Sequence, residues 1–160
     1  MLKIKIIAVG KIKEKFYTDA CNEYIKRLGA FCSISVTEIP EYKCSDNPSS
    51  AEIQTVMKKE GEKILDAVPE GAYIIPMCIE GKQLSSAELA QKIEEISISG
   101  TSTICFVIGG SFGLDDAVKE KGKIRLSMSK MTFPHMLARV MLIEQIYRAL
   151  SINKGTKYHK

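Results

Sequence analysis

The spacing of apolar residues changes repeatedly along this chain, and each change marks an element. Residues 2–9 (LKIKIIAV) run up to Gly10 and are nearly continuously apolar at their end, the pattern of a buried strand. Phe16, Tyr17, Ala20, Cys21, Tyr24, Ile25 and Leu28 recur at helical spacing, with Gly29 in the C-cap position. Cys32, Ile34 and Val36 alternate with polar residues and predict a half-exposed strand ending before Pro40. Residues 40–49 form a polar, turn-rich loop, after which Ser49 and Glu52 fit a capping box opening a helix to about Ala67.

The second half repeats the alternation. Residues 72–79 (AYIIPMCI) predict another buried strand, in which Pro76 implies an edge, a bulge or a local break. Ser85 and Glu88 form a second capping box, with Leu89, Ile93 and Ile96 on one helix face. Residues 103–108 (TICFVI) are the clearest strand and run into Gly109-Gly110-Ser111-Phe112-Gly113. A short helix from Leu114 to about Lys121 and a last strand over 124–128 follow. Pro134 sits near the first turn of a long helix that buries Leu137, Val140, Met141, Ile143, Ile146 and Leu150, and the tail from Ser151 is polar.

Strict strand–helix alternation predicts an α/β fold, a mainly parallel sheet with helices on both faces, in one domain over residues 1–160. Such sheets bind ligands outside the carboxyl ends of their strands. That singles out four segments: 10–13, 79–82, 109–113 and 129–134.

Composition adds exclusions. With 45% apolar and 26% charged residues in 160, the chain has the balance of an ordinary globular protein. No apolar run approaches the roughly 18 residues of a membrane helix, and the N-terminal apolar stretch is too short for a secretory signal. A cytoplasmic location without membrane contact is expected. The five cysteines (21, 32, 44, 78 and 105) are odd in number and widely spaced, and only two histidines exist. Reduced thiols, mostly in the core, are expected, and no metal.

The net charge of +4 is unevenly spread: residues 1–15 carry +4 and residues 151–160 carry +3, against −3 for the rest. If the two ends meet in space they make a footprint for a polyanion; otherwise they are solubilising lysines.

Two strand-end segments carry candidate chemistry. Gly109-Gly110-x-x-Gly113 follows a strand and opens a helix, so its amides can approach a ligand closely; a tight turn explains the glycines equally well. It is neither a dinucleotide fingerprint nor a Walker motif. Ser129 to His135 offers a cation (Lys130), hydroxyls (Ser129, Thr132), an imidazole and a helix start within seven residues. Glu144 and Arg148 are spaced for a helix-surface pair. Tyr158-His159-Lys160 is either a frayed end or a tail that docks and contacts RNA.

VGKIKEKF (residues 9–16), EYIKRLG (23–29), FVIGGSFGL (106–114), LSMSKMTFPHMLARVMLIEQIYRAL (126–150) and the terminal YHK make the chain recognisable. It resembles, over its whole length, the ribosomal RNA large-subunit methyltransferase H family of the SPOUT superfamily. The resemblance implies a C-terminal trefoil knot, S-adenosylmethionine as methyl donor, a homodimer, and methylation of N3 of a pseudouridine in a 23S rRNA stem-loop of the assembled ribosome. It places donor contacts at Met77, Gly109, Gly110, Leu114, Met128, Ser129, Lys130, Met131, Thr132 and Phe133. Met77 stands where leucine is frequent, and Phe112 where a polar residue is common.

For the chemistry, His135 and His159 are eligible as bases for the imide proton. Electrostatic stabilisation of the imide anion by Lys130, Arg139 or a tail cation is ranked slightly ahead. The catalytic candidates are thus His135, Arg139, Tyr158 and His159. Apolar residues on more than one face of the last helix, including Met136, Met141, Ile143 and Ile146, point to a partner surface. The alternatives are a non-enzymatic RNA-binding or ribosome-associated factor on the same fold, and a small-molecule enzyme using another nucleotide cofactor.

Overall fold

The structure is a computed structural model that describes residues 1–160. Its elements alternate: β1 (Lys3–Val9), α1 (Lys15–Leu28), β2 (Ser33–Ile39), α2 (Ser50–Ala67), β3 (Tyr73–Gln83), α3 (Ser86–Ile98), β4 (Thr103–Ile108), α4 (Asp116–Lys121), β5 (Leu126–Ser127) and α5 (His135–Asn153). The five strands form one parallel sheet in the order β2-β1-β4-β3-β5. Both predicted capping boxes form: Ser49 Oγ accepts from Glu52 N and Ser85 Oγ from Glu88 N, and each glutamate returns a contact to its cap.

Side chains alternate across the two central strands and build a core on each face. Ile4, Ile6 and Ala8 of β1 with Ile104, Phe106 and Ile108 of β4 meet α1, α3 and α5. Ile7 and Val9 with Cys105 and Val107 meet Ile64 of α2 and Val118 of α4. Four cysteines are buried and Cys44 is exposed. Burial pushes the Cys32 and Cys105 thiols up to about 11, so both are inert packing groups.

Several boundaries differ from expectation, among them the start of α4, which lies at Asp116 and not Leu114. β3 runs on to Gln83, so 79–82 is strand and not loop. The irregularity announced by Pro76 comes just after it, where Met77 and Lys82 both face Leu126 and the segment between them bulges. β5 shrinks to two residues; before it, Lys123 N–H donates to the Ile74 carbonyl and the Arg125 carbonyl accepts from Lys82 N–H outside the regular ladder. No helix is long and apolar enough to cross a membrane.

Candidate functional site

The carboxyl ends of β4 and β5, and β3 just past its pairing with β4, open onto a cleft of about 590 Å³. That is the size range of small-molecule sites, roughly 300–1,000 Å³. Met77 and Ile79 of β3 form one wall and the 109–113 turn forms another. Residues 126–135, between β5 and α5, close the third side.

Each wall is fixed locally. Gly113 sits at φ +85, and its N–H donates to the Gly110 carbonyl at 3.0 Å. A Cβ on Gly109 would lie 2.7 Å from the Gly113 carbonyl carbon, so the turn closes only with glycine there. In the third wall, Ser127 Oγ donates to the Ser129 carbonyl and Met131 N donates to Ser129 Oγ, both at 3.0 Å. These serine bonds shape the chain before α5, where residues 126–129 and 131–135 line the cleft.

Behind Gly110 lies a buried carboxylate. Glu60 is 4% exposed and accepts from Tyr42 N at 3.0 Å. A Cβ on Gly110 would point at Val9 and Glu60 Oε1, away from the cleft, at 3.0 and 3.2 Å. A side chain at Gly110 would therefore press on the support beneath the turn, and Val9 and Glu60 would have to shift by a few tenths of an ångström. Burial raises the Glu60 carboxyl above the ordinary range, against the pull of the Tyr42 N–H.

His135 lines the cleft, but its Nε2 is buried; it stands 3.6 Å from Glu41 Oε1, too long for a hydrogen bond, and has no other partner. Arg139, one turn along α5, is buried and committed: Nη1 donates to Glu38 and Nη2 to the Gly10 carbonyl, both at 2.8 Å. Cys78 also lines the cleft, but burial raises its thiol, so it is no thiolate nucleophile.

The tail is docked and not frayed. Tyr158 Oη donates to Glu144 at 3.0 Å, its ring meets Tyr147 edge-on at 4.7 Å, and Arg148 lies 4.7 Å over it. Burial and its contacts with Tyr24 and Glu144 raise the Tyr158 hydroxyl, which makes it a hydrogen-bond donor rather than a base. His159 Nδ1 is 3.4 Å from Arg148 Nη1. Within one chain this cluster is remote from the cleft: Ala138 lines the cleft and Arg148 holds the tail, about 15 Å apart along α5.

Eight of the ten expected donor residues converge on the cleft: Met77, Gly109, Gly110, Met128, Ser129, Met131, Thr132 and Phe133. Leu114 instead packs into the core on the α2/α4 face, and Lys130 is exposed outside the lining. Of the four catalytic candidates, only His135 lines the cleft. Ser127, Ile108, Ala138, Cys78 and Leu126 also line it, although the sequence pattern does not single them out. The first two lie at strand ends, where parallel topology itself is the signal. Of the basic N-terminal end, Lys11, Lys13 and Lys15 follow Gly10, which meets the start of α5, whereas the tail lysines lie beyond the end of α5.

Comparison with known proteins agrees with this geometry. The family described as "Predicted SPOUT methyltransferase" matches residues 2–159. A "Ribosomal RNA large subunit methyltransferase H" of Bifidobacterium adolescentis is 48% identical over 159 residues, covering 99% of this chain and all of that one. The protein of the same name from Clostridium acetobutylicum is 46% identical over the same spans. A probable methylase family protein from Haemophilus influenzae superposes with a TM-score of 0.54 at 12% identity, covering 98% of this chain and 70% of that one, a likeness of fold. Matched from end to end by this family and by relatives of its own length, the chain belongs to the SPOUT methyltransferases.

Proposed function

We propose that this protein transfers a methyl group from S-adenosylmethionine to N3 of a pseudouridine in large-subunit rRNA on the assembled ribosome, in the cytoplasm and as a homodimer. The carrying observation is the convergence of the middle of β3 and the carboxyl ends of β4 and β5 on one cleft lined by glycine, hydroxyl and apolar residues. The residues fit the donor. Backbone N–H and C=O groups of the 109–113 and 127–133 turns suit a purine edge, and Met77, Met128 and Phe133 offer apolar contact. The full-length relatives named as rRNA methyltransferases supply the substrate class.

The donor supplies an electrophilic methyl on sulfonium. Transfer breaks the S–CH3 bond, forms N3–CH3 and releases the N3 proton, leaving S-adenosylhomocysteine. The protein's part is to hold the two reactants in line and to exclude competing water. His135 lines the cleft and its buried Nε2 has no hydrogen-bond partner, which supports assigning it the role of taking or steering that proton once the site is filled; Arg139, held by Glu38 and Gly10, positions the start of α5.

A dimer reconciles the cleft with the tail. Ile143 and Ile146 are fully buried in the core, so the α5 surface left for a partner narrows to the half-buried Met136, Leu137, Val140 and Met141. Pairing there brings the tail of one protomer toward the cleft of its partner, completing a site that one chain leaves divided. The chain path also supports a trefoil knot. β5 lies at the outer edge of β3, yet α5 begins against Glu41 and Gly10 at the β1/β2 ends. Residues 128–134 must therefore cross the carboxyl ends of the strands between them.

Titration calorimetry with S-adenosylmethionine and S-adenosylhomocysteine tests the donor site. Heat saturating with about one ligand per cleft is expected; none at near-millimolar ligand overturns the reading.

A further inference from the structure

The loop after β1 has features that neither the donor cleft nor the tail uses. Lys11 and Lys13 are exposed and form no ion pair, whereas Lys15 beside them is paired with Asp19. Lys43 after β2 and Lys130 after β5 are likewise exposed and unpaired, so free cations ring this end of the sheet. Phe16, at the start of α1, is 65% exposed, its ring 4.4 Å from that of Tyr17. Glu14 is the one acid among residues 10–16.

The base of this loop is fixed to the cleft. The Gly10 carbonyl accepts from Arg139 Nη2 at 2.8 Å. Ile12 N–H points at Glu38 Oε2 at 3.4 Å, the oxygen that also accepts Arg139 Nη1. A Cβ on Gly10 would touch Met136, the neighbour of His135 in the cleft lining. Free cations and an exposed aromatic face are thus held at a set distance from the reacting end of the cleft. Cations that follow a backbone beside a ring that can stack a base are the chemistry of single-stranded nucleic acid binding.

We propose that residues 10–16 are a docking surface for the rRNA strand flanking the methylated nucleotide, with Lys11 and Lys13 meeting phosphates and Phe16 stacking on an unpaired base. The Arg139–Glu38 pair is the positioning device that sets this strand relative to the cleft. The proposal rests on the reading that the substrate is rRNA. Lys43 and Lys130 extend the surface toward the cleft mouth.

The test measures affinity for purified ribosomes against KCl at fixed magnesium, together with donor calorimetry, light scattering and methyl transfer, on wild type, the double variant Lys11→Ala/Lys13→Ala and Phe16→Ala. Losing two phosphate contacts lowers the slope of log affinity against log salt by about 1.4–1.8. The double variant should show that loss and a ribosome KM raised tenfold or more, with donor affinity and dimer mass unchanged. Phe16→Ala should weaken binding about fivefold or more with the slope unchanged. An unchanged slope and KM in the double variant overturn the phosphate contacts. A Phe16→Ala protein that falls to monomer assigns that ring to a second copy of the chain and overturns the stacking. A wild type that binds donor but transfers no methyl to ribosomes would instead overturn the substrate reading, a separable failure.

Discussion

Arg139 donates from Nη2 to the carbonyl of Gly10 at 2.8 Å, joining positions 129 residues apart in sequence. With its second bond to Glu38 it ties the start of α5 to the ends of β1 and β2. Removing the guanidinium leaves a buried carbonyl without its donor and Glu38 without its cation. Arg139→Leu should cost about 2–4 kcal/mol, read as a fall in Tm of roughly 5–15 °C by calorimetric scan. A shift under a degree or two would show that the tie does not hold the fold.

The two adjacent glycines of the cleft differ in what a methyl group would meet. At Gly109 the obstacle is backbone, at 2.7 Å; at Gly110 it is two side chains, at 3.0 and 3.2 Å, which can yield. Gly109→Ala should weaken donor affinity tenfold or more by calorimetry, and Gly110→Ala less. Gly110→Val should lose stability and donor affinity together, since its branches press on Val9 and Glu60 rather than on the ligand. A Gly110→Val protein of unchanged Tm with no donor binding would contradict the direction in which that Cβ points.

Glu60 supplies a pH dependence. Its carboxyl is raised in the fold by burial, so the folded state holds this proton more tightly than the unfolded chain. That contribution to stability is complete below the ordinary glutamate range and is lost as pH rises through the raised value. Glu60→Gln keeps an acceptor for Tyr42 N and removes the buried charge. Thermal scans from pH 4 to pH 8 should show the variant gaining on wild type as pH rises. A gap that widens toward acid would reverse the sign and refute the assignment.

Local patterns were well read from the sequence, and long-range ones were not. The capping boxes at Ser49 and Ser85, the strand at 103–108 and the strand-end logic that marked Gly109 and Met131 all depend on short spacings. The Glu38–Arg139 bond spans 101 residues, and nothing local in α5 distinguishes Arg139 from a solvated helix arginine. Leu114 follows the glycine turn directly, yet it points into the core on the α2/α4 face. Ile143 and Ile146 read as partner surface because α5 is apolar on several sides. The structure accounts for part of that apolarity by wedging α5 against α1, α3 and the sheet.

The docked tail can be removed without touching the cleft. Deleting residues 158–160 breaks the Tyr158–Glu144 bond and the Arg148 and Tyr147 contacts, all remote from the donor site of the same chain. Donor affinity should stay within about twofold, and methyl transfer to ribosomes should fall tenfold or more, the equivalent of about 1.4 kcal/mol in the barrier. Loss of donor binding along with activity would make the tail a support of the pocket, and unchanged activity would leave it a surface ornament.

The partner surface on α5 is testable by mass. Light scattering at micromolar concentration should return about twice the chain's 17.8 kDa. Val140→Glu/Met141→Glu places two charges on the half-buried α5 surface and should shift the protein toward monomer. Methyl transfer should then drop while donor heat persists. A wild type of single-chain mass would end the composite-site account.

The most direct measurement is methyl transfer in purified form. Ribosomes from cells lacking this protein are incubated with it and isotope-labelled S-adenosylmethionine, and the rRNA is digested and read by nucleoside mass spectrometry. The account predicts label on N3 of one pseudouridine of the large-subunit rRNA, absent when the protein is omitted. Label on another base or on small-subunit rRNA, or no label from a protein that binds the donor, would contradict it.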